Sequence, residues 1–282
     1  MDNDRFNDAM RVNRPDLSHL SRGLRFRNPL LAVFTLALTF LSGSSYSQNL
    51  KVISYNIHHG ANAQEELTLT QIGAYIKDSG ADLVGLQEVD SLCRRSGSRD
   101  QMKLLAEMTG MHYAFYRHFA YDGGAYGLGI LSRFPILEQE NDRITSIKNG
   151  KRESLAQLSV RVGIGEKEIL FSTVHLALDQ ATRLIQAREV LEHMNVEIPV
   201  ILTGDFNALP DTEEIQLIHR KYPMQDSSLQ PTFPHHQPIK KIDYIFADPR
   251  VGRGLTEVRV PREILHSDHL PLEAEYSLQS LR

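Results

Sequence analysis

Residues that can bind metals and phosphates follow or interrupt the apolar, strand-like runs of this sequence at seven places. These residues are Asn56, Glu88, His175, Asp205, Asn207, Asp243 and the neighbours Asp268 and His269. A carboxylate at the end of a buried strand must be paired, hydrogen-bonded or metal-bound. Each residue taken singly has an ordinary structural explanation, such as a turn, a cap or a satisfied core histidine. Seven such interruptions, all with oxygen or imidazole chemistry, together predict a functional site.

Three of these residues, Asn56, Glu88 and Asp268, supply hard oxygen ligands without a thiolate. One amide and two carboxylates suit Mg²⁺, or Mn²⁺, better than zinc. Mg²⁺ in proteins usually keeps several waters and shares its coordination shell with a phosphate. We therefore expect a phosphate-ester substrate, with the metal polarising the phosphoryl oxygen.

The other residues suit phosphate binding and proton transfer. His175 and His269 can donate hydrogen bonds to nonbridging phosphate oxygens, and Asp243 would keep one imidazole oriented and protonated. Asp205 is the best candidate for aligning or deprotonating water. The sequence has no Gly-rich phosphate loop followed by Lys and no G-x-S-x-G elbow, which disfavours a Walker-type triphosphatase and a serine hydrolase.

The composition narrows the class of protein. The chain has 282 residues, 41% hydrophobic and 23% charged, which argues against disorder, collagen-like repeats and a polytopic membrane protein. A single cysteine, Cys93, excludes an intrachain disulfide and a cysteine-rich zinc site. The formal charge of −4 gives no overall basic footprint for nucleic acid.

Apolar, β-rich runs separated by amphipathic stretches and turn clusters predict about ten strands and four helices after residue 49. The predicted strands cover residues 50–57, 82–89, 112–118, 127–133, 155–162, 168–176, 199–206, 241–247, 255–261 and 270–278. The predicted helices cover residues 70–78, 100–109, 181–194 and 212–221. Strands that alternate with helices, but also follow one another directly, indicate an α/β protein with a pair of mixed sheets covered by helices. With no low-complexity linker, we expect a single domain.

The first 47 residues have the features of an export signal. A polar stretch ending in three arginines precedes the twelve-residue apolar run LLAVFTLALTFL, and small residues at Ser45 and Ser47 suit cleavage before Gln48. A buried core helix and an uncleaved membrane anchor are the alternatives. We expect residues 48–282 to be an exported catalytic domain, periplasmic or secreted. Residues 1–47 hold six Arg and four Asp, so cleavage would change the formal charge from −4 to −6.

Seven segments together resemble the endonuclease/exonuclease/phosphatase superfamily and occur in family order over nearly the whole chain after residue 48. They are SYNIHHG (54–60), GLQEVD (85–90), GILSRFPI (129–136), STVHL (172–176), TGDFNALP (203–210), KIDYIF (241–246) and HSDHLPL (266–272). The resemblance implies a four-layer α/β sandwich, in which two packed mixed β-sheets are flanked by helices. It also implies divalent-metal-dependent cleavage of phosphodiesters or phosphomonoesters.

The resemblance assigns roles to matching positions of this sequence. Asn56, Glu88 and Asp268 match metal-site positions, and Asp205 matches the residue that orients or activates water. Because His269 matches a histidine that contacts the scissile phosphate, both Asp205 and His269 stay open as the general base.

The remaining matches concern the phosphate. His175 and Asn207 match phosphate-contacting positions, and Asp243 matches the carboxylate that orients His269.

Two further histidines, His58 and His59, either line the mouth of the metal site or belong to a solvated turn. A basic loop after Glu88 either meets a phosphate-rich substrate or stays solvated; its cations are Arg94, Arg95 and Arg99.

Differences between this sequence and individual branches of the superfamily narrow the range of expected substrates. Tyr126 stands one place away from the tyrosine of the apurinic-site endonucleases, and the lack of Trp disfavours the inositol polyphosphate phosphatases. The single cysteine forbids the stabilising disulfide of the deoxyribonuclease I branch. We expect a monomer without an obligate protein partner, acting on nucleic acid or on a lipid or glycolipid headgroup. The alternative is a non-catalytic phosphate- or lipid-binding module, which the complete set of motif residues argues against.

Overall fold

The predicted strand runs form two sheets in the computed structural model, which describes residues 49–148 and 150–281. Within these ranges the strands are β1 (Asn49–Asn56), β2 (Leu83–Ser91), β3 (His112–Tyr121), β4 (Gly124–Ser132), β5 (Ile136–Lys148), β6 (Lys151–Ile164), β7 (Lys167–His175), β8 (Val200–Asp205), β9 (Asp243–Ala247), β10 (Leu255–Arg259) and β11 (Leu272–Ser277). The helices are α1 (Leu69–Ser79), α2 (Gln101–Thr109), α3 (Gln180–His193), α4 (Glu213–Lys221) and α5 (Pro249–Gly252), with 3₁₀ turns at His58–Gly60, Arg94–Ser96 and Leu278–Leu281.

Both sheets are mixed. The six-stranded sheet has the order β10-β11-β1-β2-β4-β3, and the five-stranded sheet has the order β5-β6-β7-β8-β9. In each sheet one pair of neighbours is parallel, β1 with β2 and β7 with β8, and the other pairs are antiparallel. These pairings confirm the predicted pair of mixed sheets.

Three clusters of buried apolar residues account for the layers. One cluster fills the space between the sheets, with Val52 and Leu83 from one sheet facing Phe171 of the other. A second lies between the outer face of the six-stranded sheet and helices α1 and α2, and a third lies between the five-stranded sheet and helices α3 and α4. The order helix, sheet, sheet, helix confirms the four-layer α/β sandwich.

Strand β5 was not predicted from the sequence. Its sequence, ILEQENDRITSIK, is mostly polar, and it pairs only with β6, from Ile136 opposite Val162 to Lys148 opposite Lys151. Because an edge strand is stabilised by backbone hydrogen bonds to one neighbour, its side chains need not alternate between apolar and polar. β6 also begins earlier than predicted, since it extends to complete this hairpin.

The face between the sheets changes from apolar to polar along the strands. On β1 the buried side chains run from Leu50 and Val52 to Asn56, and on β8 they run from Ile201 to Asp205. Successive side chains of a strand alternate between its faces, so alternate residues share the inner face. The polar ends of several strands therefore meet at one end of the sandwich.

The sheets approach each other closely next to this polar end. A Cβ added to Gly85 would lie 2.1 Å from Oγ1 of Thr203, so any larger residue would force the sheets apart. The predicted export segment, residues 1–47, lies outside the described residues. Among those that are described, no helix is both long and hydrophobic enough to cross a membrane.

Candidate active site

The polar end of the sandwich opens into a cleft of about 480 Å³. Six of the eight predicted site residues line it: Glu88, His175, Asp205, Asn207, Asp268 and His269. The other two, Asn56 and Asp243, are fully buried and are hydrogen-bonded to residues of the cleft wall. The structure thus brings all eight residues together, six on the surface of the cleft and two behind it.

Asn56, the last residue of β1, ties the two sheets together. Its Nδ2 donates to Oε1 of Glu88 at 3.1 Å and to Oδ2 of Asp205 at 3.0 Å, so both amide protons are used. Its Oδ1 accepts from the backbone N–H of His58 at 3.0 Å. An amide oxygen has two lone pairs, which leaves one free to bind a ligand.

Glu88 reaches the cleft through an irregularity in β2. The register of β2 on β4 shifts between Leu86 and Val89, and Glu88 there has φ of 60°. Left-handed backbone at a residue with a Cβ costs about 1–2 kcal/mol. Such strain is concentrated at functional sites, where the surroundings enforce it. Without the bulge, strict alternation along β2 would aim this side chain differently.

Asp243 and His269 form a buried pair. Nδ1 of His269 lies 2.9 Å from Oδ2 of Asp243, which also accepts a hydrogen bond from the Thr232 hydroxyl. Burial alone would lower the pKa of His269, but the charge and hydrogen bond of Asp243, with Asp205 and Asp268 nearby, raise it to about 10. The ring is therefore an imidazolium at neutral pH, and its Nε2 lies 3.7 Å from Oδ2 of Asp205.

Asp205 lies between two histidines at the end of β8. It stands opposite His175 in the parallel pair β7–β8, and Nε2 of His175 is 3.5 Å from its Oδ2. The backbone N–H of Asn207 donates to Oδ1 of Asp205 at 3.0 Å, and the Asn207 amide donates to the carbonyl of Leu176. These contacts hold Asp205 and Asn207 in fixed orientations at the cleft.

The donor set fits a divalent cation. Among residues 49–148 and 150–281, neither Glu88 nor Asp268 forms an ion pair with Lys or Arg, although both carboxylates line the cleft. Carboxylates without a Lys or Arg partner, next to a free amide lone pair on Asn56, provide the oxygen ligands that Mg²⁺ and Mn²⁺ prefer. A tighter group, Asp205, Asp243 and His269, has ligand atoms within 4.8 Å of one another, but its imidazolium disfavours a cation there.

His118, which was not predicted as a site residue, lies on β3 and lines the cleft beside His175. Its Nδ1 accepts from the backbone N–H of Ala156 at 2.8 Å, which places the ring proton on Nε2. This Nε2 is buried and has no hydrogen-bond partner among the described residues. Burial, with smaller contributions from His175 and Arg143, lowers the pKa of His118 well below its ordinary value. In the sequence nothing distinguishes it from a core histidine on a strand.

One wall of the cleft is apolar. Phe119 and Tyr126 stack with ring centres 5.4 Å apart, and Leu155, Leu178 and Phe233 continue the wall from three other segments. Phe119 and Leu178 are 44% and 83% exposed, so the wall is open to solvent. Tyr126, one position away from a family tyrosine in the sequence, does face the cleft.

The basic loop after β2 does not line this cleft. Arg95 donates two hydrogen bonds to Asp90, at 2.8 and 2.9 Å, and lies over the ring of Tyr121. Arg94 pairs with Asp122 at 2.8 Å. In the part of the chain that the structure describes, no Lys or Arg lines the cleft.

Comparison with known proteins identifies the family of this chain. A sequence model of the Endonuclease/Exonuclease/phosphatase family matches residues 53–269. The Uncharacterized protein YbhP of Escherichia coli K12 is 26% identical over 247 residues, covering 82% of this chain and 97% of that protein.

Solved structures share the fold. A mannosyl-6-phosphatase from Bacteroides thetaiotaomicron superposes with a TM-score of 0.61 at 21% identity, covering 80% of this chain and 98% of that one. The human Nocturnin catalytic domain, solved with a bound sulfate anion, superposes with a TM-score of 0.62 at 20% identity, covering 81% and 93%. At these identities the likeness concerns the fold.

Proposed function

This chain belongs to the Endonuclease/Exonuclease/phosphatase family, and from that premise we propose that it is an exported, Mg²⁺-dependent phosphodiesterase. Members of the family are divalent-metal-dependent hydrolases of phosphate esters. The observation that carries the proposal is one cleft lined by two carboxylates that have no Lys or Arg partner among the described residues, Glu88 and Asp268, together with Asp205 and His269. Mn²⁺ is an alternative to Mg²⁺, because both prefer oxygen ligands.

Asn56, Glu88 and Asp268 would hold the metal. When bound there, the cation supplies positive charge that polarises the phosphoryl oxygen and offsets charge developing in the transition state. Asn56 keeps Glu88 in place through its 3.1 Å hydrogen bond. The Ser267 hydroxyl donates to the carbonyl of Asn56 at 2.7 Å and lies 3.3 Å from Oδ1 of Asp268, so it links these two ligands.

We assign the protein side of the reaction to residues at the ends of β7 and β8 on the facing sheet, and to His269, which precedes β11. Asp205 is the carboxylate that orients the attacking water and accepts its proton, because Asn56 and the backbone of Asn207 fix both of its oxygens. His269, held at Nδ1 by Asp243, directs Nε2 toward the same region and donates to a nonbridging phosphate oxygen. His175 and Asn207 contribute further contacts to the phosphate.

The walls of the cleft favour a small or lipid-type phosphodiester over a nucleic acid. A nucleic-acid backbone is held mainly by Lys and Arg, and none lines this cleft among the described residues. Two cations lie behind aromatic residues of the wall: the guanidinium of Arg95 is 5.5 Å from the ring centre of Tyr126, and Nζ of Lys240 is 5.8 Å from that of Phe233. The apolar wall formed by Phe119, Tyr126 and Leu178 suits an alkyl or aromatic substituent of the ester.

A substrate panel tests this choice. The purified protein is assayed with Mg²⁺ against bis-p-nitrophenyl phosphate, sphingomyelin, phosphatidylinositol, plasmid DNA, RNA and simple phosphomonoesters. We expect turnover of the aryl or lipid diesters that EDTA abolishes. Turnover of DNA or RNA alone would contradict the assignment of substrate class, and absence of turnover on every ester would contradict the proposed enzyme.

Export is proposed from residues 1–47 alone. The apolar run and small residues before Gln48 support it. Amino-terminal sequencing of the protein recovered from its native host gives Gln48 as the first residue if the segment is a cleaved signal. A chain that still begins at Met1 would overturn cleavage.

A further inference from the structure

The loop between β1 and α1 brings two histidines and a glutamate together beside the cleft. Nε2 of His59 lies 3.0 Å from Oε2 of Glu65, and Nε2 of His58 lies 3.6 Å from Oε1 of Glu65. One ligand atom from each residue lies within 4.8 Å of the others. Tetrahedral bonds of 2.0–2.1 Å to zinc separate ligand atoms by about 3.4 Å. The observed distances of 3.0 and 3.6 Å lie on either side of this value, and the shorter one is a hydrogen bond that a metal ion would replace.

All three side chains are held by strained backbone. His58, His59 and Glu65 have φ of 44°, 46° and 61°, and they are three of the nine non-glycine residues with positive φ in the described chain. Each such residue costs about 1–2 kcal/mol. Strain of this kind persists where the surrounding structure enforces it and is concentrated at ligand clamps. Two consecutive left-handed histidines are difficult to explain as an ordinary surface turn.

The loop is organised so that Glu65 faces the histidines. Oδ1 of Asn62 accepts from the backbone N–H groups of Gln64 and Glu66, both at 3.0 Å. Asn62 and Glu66 also form a backbone hydrogen bond of 2.9 Å. On the other side, Gln101 donates to the carbonyl of His59 at 2.6 Å. Both arms are therefore fixed by hydrogen bonds of the backbone, Asn62 and Gln101, and Nε2 of His59 is also hydrogen-bonded to Oε2 of Glu65.

We propose that His58, His59 and Glu65 form a second metal site, which binds a transition metal of the Zn²⁺ class. Two imidazoles and one carboxylate suit Zn²⁺, in contrast to the all-oxygen set of the cleft. Three protein ligands leave one tetrahedral position for water or an anionic ligand. The site adjoins the cleft, since Nδ1 of His58 lies 4.0 Å from Oδ1 of Asp268. This inference does not depend on the proposed hydrolase activity.

Zinc stoichiometry tests the proposal without an activity assay. The full-length protein is equilibrated with Zn²⁺ alone, passed over a desalting column, and its bound metal is measured. We expect Glu65→Gln to retain about one zinc fewer per chain than the wild type. Glu65 is largely exposed, at 67% for its side chain, so this variant leaves the fold intact. Glu66→Gln, at the neighbouring exposed position, is the matched control and keeps the wild-type value.

A Co²⁺ titration separates the two sites. Visible absorption of nitrogen-ligated Co²⁺ should appear in the wild type and in Glu88→Gln, and should be lost in Glu65→Gln. His59→Gln, whose folding is checked by circular dichroism, should lose it as well. Equal zinc content in the wild type and Glu65→Gln would overturn the proposal. So would an absorption band that disappears in Glu88→Gln but survives in Glu65→Gln, because the ion would then lie in the cleft.

Discussion

The side-chain amide of Asn56 donates to Oδ2 of Asp205 at 3.0 Å, and this buried hydrogen bond joins the two sheets at the floor of the cleft. The second amide proton goes to Glu88. One residue therefore orients both a proposed metal ligand and the proposed water-activating carboxylate. Asn56 is thus more than one oxygen ligand among three, because its donors set the positions of two carboxylates.

Asn56→Asp tests this double role. The substitution keeps the shape of the side chain and one oxygen ligand. It replaces the two N–H donors by an oxygen acceptor that faces the carboxylates of Glu88 and Asp205. We expect kcat/KM for bis-p-nitrophenyl phosphate to fall by about 100-fold or more. Asn141→Asp, an exposed change of the same type on β5, is the control. A variant with near wild-type activity would show that the donor contacts of Asn56 are unimportant.

Asp243→Asn tests the orientation of His269. The neutral amide cannot hold the imidazolium as the carboxylate does, so we expect kcat to fall by about 100-fold or more. Thr232→Val, which removes only the hydroxyl donor to Asp243, should cost roughly tenfold. Steady-state kinetics and a Tm measurement for each variant separate lost chemistry from lost stability. If kcat fell only slightly, and by the same factor, in Asp243→Asn and Thr232→Val, the proposed role of Asp243 in orienting His269 would be contradicted.

Leu178→Lys tests the charge character of the cleft wall. A cation at this exposed position should improve turnover of p-nitrophenyl phosphate, a dianion, relative to the monoanionic diester. We expect the diester-to-monoester ratio of kcat/KM to fall severalfold at low salt, and the change to shrink as salt screens the charge. Leu178→Gln is the neutral control. An unchanged ratio in the Lys variant would argue that the substrate phosphate does not lie near this wall.

Glu273 is one of the carboxyl groups that make the stability of the fold depend on acid pH. Burial alone would raise its pKa, but hydrogen bonds from Arg259, Lys51 and Tyr75 outweigh burial and lower the pKa below its usual 4.5. A carboxyl with a depressed folded-state pKa stabilises the fold above its unfolded pKa, and this contribution is lost as the pH falls through the folded value. The loss therefore occurs below pH 4.5.

Glu273→Gln should lower the free energy of unfolding at neutral pH by about 1–2 kcal/mol, because Lys51 and Arg259, which are partly exposed, lose a charged hydrogen-bond partner. The gap between variant and wild type should narrow in urea titrations below pH 4.5. Glu257→Gln, an exposed position on β10, should change neither value. If the difference in the free energy of unfolding between the variant and the wild type did not change with pH, the lowered pKa of Glu273 would be contradicted.

The site was predictable where it follows from strand ends. Asn56, Asp205 and His175 end buried apolar strands whose parallel pairings show no register shift, so the apolar runs and the motifs together predict that these residues converge. The contribution of Glu88 to the cleft requires a bulge with positive φ, for which its sequence carries no glycine signal. The place of His118 in the site was not predicted, because the hydrogen bond that fixes its tautomer comes from Ala156, a residue distant in sequence.

Two other features could not be predicted for related reasons. β5 is an edge strand, so its stability comes from backbone pairing rather than a side-chain pattern. The approach of Glu65 to His58 and His59 depends on a seven-residue loop closed by the bridge between Ala61 and Leu67. Loop closure of this kind is decided by local hydrogen bonds and left-handed residues, which leave no periodic signature.

The most direct test of the account is Mg²⁺-dependent hydrolysis of bis-p-nitrophenyl phosphate by the full-length protein and by Asp205→Asn. Asp211→Asn, an exposed aspartate in the following loop, is the matched control. We predict that the wild type and Asp211→Asn turn over the diester with Mg²⁺ and lose activity with EDTA, while Asp205→Asn loses at least about 100-fold in kcat. Full activity in Asp205→Asn, or activity in the wild type that persists in EDTA, would contradict the account.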